Sequence, residues 1–168
     1  MKIALCFAGQ PRFIDRMNFD NLTKDHEVVT YAHFWWDESY RGDFFAWNSN
    51  LKYPDDYDPI ADFEEKMKPK NLKWEEYPNF DLSGFKMVSQ MEFPLEDTIV
   101  RQSIFRQKCQ WTSVKNAVNM VDEDFDLIIR MRTDVEFPER VPLEECKGDG
   151  LSMMNGAMQA GAGREYCD

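Results

Sequence analysis

At 168 residues, 43% hydrophobic and 14% aromatic, the chain is long enough to bury one core and reads as a single domain over 1–168. Its formal net charge of −11 and pI near 4.7 argue against a general nucleic-acid binder, which needs a basic face to displace counterions. An acidic chain that handles a nucleotide has to gather its few positive charges locally or recruit a metal.

Residues 2–8 are a continuous apolar run that closes at Gly9, the pattern of a strand buried on both faces. The run is too short for a signal sequence. Pro11 is a favoured first helical residue, and Phe13, Ile14, Met17 and Leu22 recur at a spacing that predicts a helix over 11–23. Glu27 to Trp36, rich in β-branched and aromatic residues, predicts a second strand. Strand, helix and strand make a βαβ unit, which implies a parallel sheet.

Residues 37–65 mix Asp, Asn, Pro and Gly with aromatic rings and show no sustained period. They predict a long surface excursion with a short helix near Ile60–Met67. Asn71 to Tyr77 predicts a short third strand. Residues 95–121 carry the longest helical pattern, with Ile99, Ile104, Trp111, Val114, Val118 and Val121 on one stripe. A strand over 125–132 and a last short strand at Leu151–Met154 complete the expectation. The fold class is α/β, a mostly parallel sheet flanked by helices. No segment approaches the roughly 20 apolar residues of a membrane span, so a cytoplasmic protein without one is expected.

Of the cysteines, Cys6 and Cys109 fall in apolar patterns and read as small buried hydrophobes. No C-x-x-C spacing suggests zinc, and a disulfide between Cys146 and Cys167 stays open. His26 and His33 fall on opposite strand faces and are poor metal ligands.

The stretch Phe125–Phe137 carries the most chemistry. After its apolar start, Arg130, Arg132, Asp134 and Glu136 occupy every second position, so on a continuous strand they leave from one face. Two guanidiniums and two carboxylates suit a site that holds phosphate and a hard divalent metal together. The plainer reading is a pair of surface salt bridges, Arg132 with Asp134 and Arg130 with Glu136, each stabilising by about 0–1 kcal/mol. The buried look of Leu127–Ile129 favours the functional one.

Gly9-Gln10-Pro11-Arg12 falls at the carboxyl end of the first strand, where open α/β sheets bind ligands. It reads either as an anion-binding turn or as a tight turn with a solvated Arg12. It contains neither a P-loop nor a G-x-G-x-x-G fingerprint. Trp35, Trp36, Tyr40, Phe44, Phe45, Trp47 and Tyr53 offer stacking faces for a sugar, although a hydrophobic lid over an irregular loop explains most of them. The small residues of Asn155–Gly163 suggest a loop near a substrate or a frayed tail.

With these residues in hand, the chain resembles the GT-A class of glycosyltransferases, and within it small bacterial, phage and large-virus members. The likeness lies at Lys2–Arg12, Val28–Trp35 and Arg130–Asp134, and it extends over most of the chain. It implies a Rossmann-like nucleotide-diphospho-sugar transferase fold, with Gly9, Gln10, Pro11 and Arg12 on the nucleotide and Arg130 and Arg132 on its phosphates. It also implies that Asp134 and Glu136 stand where the family's Asp-x-Asp motif holds Mn²⁺ or Mg²⁺. Two departures stand out: the motif here is Asp-Val-Glu, and relatives continue beyond the position of Asp168, the candidate catalytic residue. The expected activity is metal-dependent transfer of a sugar from a nucleoside-diphosphate donor to a hydroxyl of a glycan, lipid or protein acceptor. A nucleotide-sugar-binding module without turnover and an interaction domain are the alternatives.

Overall fold

The apolar run at the start of the chain forms β1 (Lys2–Gly9), and six consecutive residues of it, Ile3 to Ala8, are buried. The computed structural model describes residues 1–38, 53, 55–82, 97–146 and 158–159. Around β1, a four-stranded parallel sheet is built with β2 (Glu27–Trp35), β3 (Asn71–Glu75) and β4 (Leu127–Met131), in the order β3-β2-β1-β4. The chain therefore starts in the middle of the sheet and steps outward twice. It then crosses back through α3 (Asp97–Val118) to lay β4 on the other side of β1.

The two faces of β1 are covered differently. Ile3, Leu5 and Phe7 point into the larger core, with Ala32 and Phe34 of β2 and Ile129 and Met131 of β4. This face is closed by the β1–β2 crossover through Ile14, Met17, Phe19 and Leu22, and by Ile60 and Phe63 of α2 (Pro59–Met67). Phe63 meets Phe7 and Phe34 edge-on, with ring centroids 5.1 and 4.8 Å apart, a favoured aromatic geometry. The helix starts where the sequence dictates: Asp58 accepts the N–H groups of Ile60 and Ala61, and Pro59 follows it.

The other face presents Ala4, Cys6 and Ala8, small enough for α3 to approach closely, and Ala117 packs against them. Cys109, Ser113 and Ala117, four residues apart, are the buried line of α3. Of the expected stripe, Val114, Val118 and Val121 pack partly buried against this cluster, whereas Trp111 is corrected: it is 69% exposed. The fully buried line beside them includes Ser113 and Ala117, whose weak hydropathy hides them from a reading that counts large apolar residues.

Other expectations shift as well. Residues 11–23 form a 3-10 turn (Ile14–Arg16) and a single helical turn, α1 (Asp20–Thr23), rather than one helix. Phe13, in the left-handed region at φ 51°, precedes the 3-10 turn, and residues 17–19 separate that turn from α1. Strand β4 is shorter than expected and has the last place in the sheet order, so Ile128 is 47% exposed and Leu127 only partly buried. The strand expected at Leu151–Met154 lies outside the described residues. Within Asn155–Gly163, Met158–Gln159 forms β6 and pairs antiparallel with β5 (Val135–Glu136) in a second small sheet. Cys6 and Cys109 are buried free thiols as expected; Cys146 is free among the described residues, and Cys167 lies outside them. No helix among the described residues is long and apolar enough to cross a membrane.

At the amino end of the sheet, charge ties the strands together. Lys70 bridges Asp122 and Glu123 at 2.7 and 2.9 Å, and Lys2 reaches the same Glu123 at 2.5 Å. The Lys2 N–H donates to Asp126 at 2.7 Å. This end is closed by ion pairs, whereas the carboxyl end carries the turns described below.

The close approach of α3 to Ala4 yields a direct expectation. Ala4→Leu forces a branched side chain into a fully buried position under Ala117, and overpacking of this kind costs about 1–3 kcal/mol. Urea unfolding should show a lower midpoint with an unchanged slope.

Candidate functional site

The strand order places a reversal between β1 and β4: from β1 the chain proceeds toward β2 and β3, and β4 lies on the opposite side. In open α/β sheets, the carboxyl ends of the strands at such a switch point form the ligand crevice. Here those ends lead into Gly9-Gln10-Pro11-Arg12 and into Arg132-Thr133-Asp134. The two turns are joined directly, because the Arg12 N–H donates to Thr133 Oγ1 at 2.8 Å.

Gly9 has φ +116°, a value that L side chains rarely adopt, and a Cβ there would meet nothing within 4 Å. The requirement for glycine is therefore one of backbone conformation, not of space. Its N–H donates to Ser113 Oγ at 2.8 Å. Pro11 has no N–H, and that of Arg12 is taken by Thr133. The turn is consequently not a bare backbone cradle for an anion, and no long helix begins behind it. What it offers is side-chain charge.

That charge is gathered around Asp134. Although it lies in a turn, its side chain is 5% exposed. Arg132 grips it as a fork, Nε to Oδ1 at 2.8 Å and Nη2 to Oδ2 at 2.5 Å, the strongest common guanidinium–carboxylate geometry. Arg12 adds Nη1 at 3.9 Å from Oδ2, and its Nε donates to Gln10 Oε1 at 2.9 Å. The Tyr53 hydroxyl donates to the Pro11 carbonyl. Burial pushes that phenol well above the tyrosine range, with Arg12 pulling the other way.

Arg130, on the last full turn of the β4 pleat, feels both neighbours. Desolvation and the like charge of Arg132 lower its pKa and Asp134 raises it, but a guanidinium remains charged throughout. Among the described residues one carboxylate thus meets two guanidiniums, with the exposed Arg130 near enough to feel its charge, so this group is net positive in a chain of net charge −11.

The expected row of four charges on one strand face is not what forms. Strand β4 ends at Met131, Thr133 and Asp134 make a turn with both residues buried, and β5 starts anew in the second sheet. Arg132 and Asp134 do pair, as the plainer reading held, but the pair is buried at its acidic end. Glu136 is exposed on β5 opposite Met158. The chemistry of the donors as placed does not fit a divalent metal: both Asp134 oxygens already face Arg132, and Glu136 sits in the other sheet. Among the described residues no three His, Cys, Asp or Glu side chains group for metal binding. Asp168 lies outside the described residues, as do Tyr40, Phe44, Phe45 and Trp47. Trp35, Trp36 and Tyr53 are buried, Trp36 edge-on to Tyr53 at 4.8 Å, and so belong to the core.

Three polar residues that sequence reasoning missed support the turn. Thr133 tethers Arg12. Ser113, fully buried on α3, accepts the Gly9 N–H and lies 2.7 Å from the His33 carbonyl and 3.0 Å from His33 Nδ1. Glu75, at the end of β3, lies 2.8 Å from His33 Nε2 and is also paired with Lys73 at 3.0 Å. A serine and a glutamate carry no spacing signal of their own. Only the strand register, which sets His33 beside Ala8 and Lys73, brings them together.

No family model, no curated protein and no solved structure matches the chain.

Two outcomes follow from these contacts. Asp134→Asn removes the charge that holds Arg12 and Arg132. Loss of a fully buried partner costs about 3–5 kcal/mol. The Arg132 side chain keeps 35% of its surface in water, so a smaller loss, about 1–3 kcal/mol, is expected by urea titration. The second concerns pH. Burial is the largest influence on His33 and holds it below its ordinary 6.5, while His33 and Lys73 hold Glu75 below its ordinary 4.5. Unfolding restores both values, so the unfolded chain binds more protons in acid and stability falls with pH. The urea midpoint should decline first below about pH 6.5 and again below about pH 4.5. His33→Gln should flatten the first step.

Proposed function

We propose that the chain is a nucleoside-diphosphate-sugar glycosyltransferase of the GT-A type, whose donor diphosphate lies over Arg12, Arg130 and Arg132. The observation that carries the reading is the positive cluster at the sheet's switch point. Net positive charge gathered at the carboxyl edge of a parallel sheet, in an acidic protein, suits an anionic ligand. Guanidiniums held by a common carboxylate need little reordering to meet phosphate oxygens, and their forked donors match them.

In such a site the arginines would neutralise the charge that collects on the diphosphate as the sugar–phosphate bond breaks, an electrostatic contribution. Gln10 would fix the Arg12 guanidinium through its Nε, and Asp134 would fix Arg132. Because the carboxylates do not converge, no step is assigned to a metal, and metal dependence becomes one arm of the test. The acceptor hydroxyl, of a glycan, lipid or protein, belongs to this same proposal.

The test is calorimetric titration of UDP, GDP and their sugars, with Mn²⁺, with Mg²⁺ and with EDTA. Binding by a nucleoside diphosphate is expected, weakened about 10- to 100-fold in Arg132→Ala, the value of a charge-assisted hydrogen bond to an anion. Donor-dependent release of nucleoside diphosphate then separates transfer or hydrolysis from simple binding. Failure of every nucleotide to bind under all three conditions would remove the reading in favour of an interaction domain.

A further inference from the structure

We infer that His33 is a positioning residue for the Gly9–Arg12 turn, acting through Ser113, and that its gain or loss of a proton changes how firmly Gly9 is held. Ser113 Oγ accepts the Gly9 N–H at 2.8 Å and stands 2.7 Å from the His33 carbonyl and 3.0 Å from His33 Nδ1. A hydroxyl has one proton to give. A carbonyl can only accept, so the shortest of these contacts takes that proton, and Nδ1 must then donate to Oγ.

On the other side of the ring, Nε2 faces the Glu75 carboxylate at 2.8 Å, and a carboxylate also only accepts. The arrangement therefore fits the acid form of the ring, protonated at both nitrogens. Asn116 completes the shell with its amide nitrogen Nδ2 placed 3.0 Å from Nε2, a donor suited to the ring when Nε2 is bare. Turned so that its oxygen faces the ring, it accepts as well, the two amide ends being interchangeable by a flip.

Take one proton away and the count fails. If Nδ1 loses its hydrogen, Ser113 has a single proton for two acceptors, the ring nitrogen and the carbonyl. One of them goes unpaired in a site where Ser113 and His33 are both 0% exposed, and an unsatisfied buried group is costly. Register gives this its reach. Gly9 and Phe34 are the last partners of the β1–β2 ladder, and the hydroxyl joins a main-chain donor of β1 to a main-chain acceptor of β2 at that end. A change in the hydroxyl's orientation is therefore felt first at Gly9, the residue whose backbone starts the turn.

The charges that act on His33 from the surrounding elements are few. On β3 they are Glu75 and Lys73, of opposite sign. On β1 and α3, Cys6 and Cys109 carry thiols that burial pushes up to about 11, so neither contributes charge. On β2 itself Tyr31 is a neutral phenol whose pKa is raised. Burial and Lys73 oppose the charged ring and Glu75 favours it, so the proton is gained on mild acidification. Ser113 is not a nucleophile despite its Ser–His–Glu neighbours, because nothing can reach a hydroxyl with no exposed surface.

The inference rests on the proposed anion site only in its last step, that a firmer turn changes anion binding. The experiment is a titration of the native protein by nitrogen-15 NMR between about pH 8 and 5, the range in which an imidazole takes its proton. It follows the His33 ring nitrogens and the Gly9 amide, alongside titrations with inorganic pyrophosphate. The Gly9 amide should shift with the same midpoint as His33. That midpoint should fall in Glu75→Gln, and in Ser113→Ala the Gly9 amide should lose its pH dependence while His33 still titrates. Pyrophosphate affinity should follow the same midpoint, by about threefold or more, well under the tenfold that one pKa unit of coupling represents. A Gly9 amide that ignores the His33 titration in the native protein overturns the inference, as does a His33 that holds one protonation state throughout. Coupling of His33 to Gly9 without any pyrophosphate binding supports the positioning role and removes the proposed function instead. Should Ser113→Ala not fold, the midpoint shift in Glu75→Gln, an alteration at a partly exposed position, decides alone.

Discussion

The burial of β1 on both faces is the constraint from which the rest of the structure follows. A strand covered above and below cannot satisfy itself with one partner layer, so the chain has to supply material for each side. The large residues Ile3, Leu5 and Phe7 call for a thick layer, filled by the crossover and α2. The small residues Ala4, Cys6 and Ala8 call for a thin one, filled by a single long helix lying close. Once both faces and both edges of β1 are covered, its two ends are what remain accessible. The amino end is closed by the Lys2, Lys70, Asp122 and Glu123 pairs, and the carboxyl end carries the Gly9–Arg12 and Arg132–Asp134 turns.

The same constraint explains the polar residues beneath the turn. Where α3 passes the carboxyl end of β1 and β2, Ser113 and His33 have no exposed surface, yet the last main-chain groups of the ladder still need partners. Ser113 supplies one hydroxyl to two of them. His33 then requires partners of its own, met by Ser113, Glu75 and Asn116. Trp35 follows the same logic by donating its indole N–H to the Cys109 carbonyl at 2.9 Å. Each polar group under the helix is there because its neighbour could not be left unsatisfied.

How far this was legible in the sequence follows from which signals are local. The strands at Lys2–Gly9 and Glu27–Trp35 and the helix at Pro59–Met67 were readable because propensity, periodicity and capping agree within a few residues. The class of sheet followed from their alternation. The run from Arg130 to Glu136 was readable as an unusual charge pattern but not as a shape. A period of two assumes a continuous strand, and the chain breaks at Arg132 because Thr133 and Asp134 find better partners in Arg12 and Arg132 than a straight strand would give them. The α3 seam was legible only in part: Cys109 and the valines at 114, 118 and 121 were readable, whereas Ser113 and Ala117 matter through their small size and not their hydropathy. Glu75 and Ser113 were beyond any local reading, because only the register of β1, β2 and β3 makes them neighbours of His33.

The break at Arg132 also changes what the acidic residues mean. On a continuous strand, Asp134 and Glu136 would present two carboxylates side by side, and the natural inference is a cation. Folded as a turn, the chain separates them, and the buried one becomes the centre toward which Arg12 and Arg132 reach from different turns. A lone carboxylate on a side chain 5% exposed is costly to ionise without such partners. Two guanidiniums drawn to it bring more positive charge than it cancels, with Arg130 nearby. The acid at the end of the strand therefore works as a gathering point for cations, which is the opposite of what a row of carboxylates on one strand face would do.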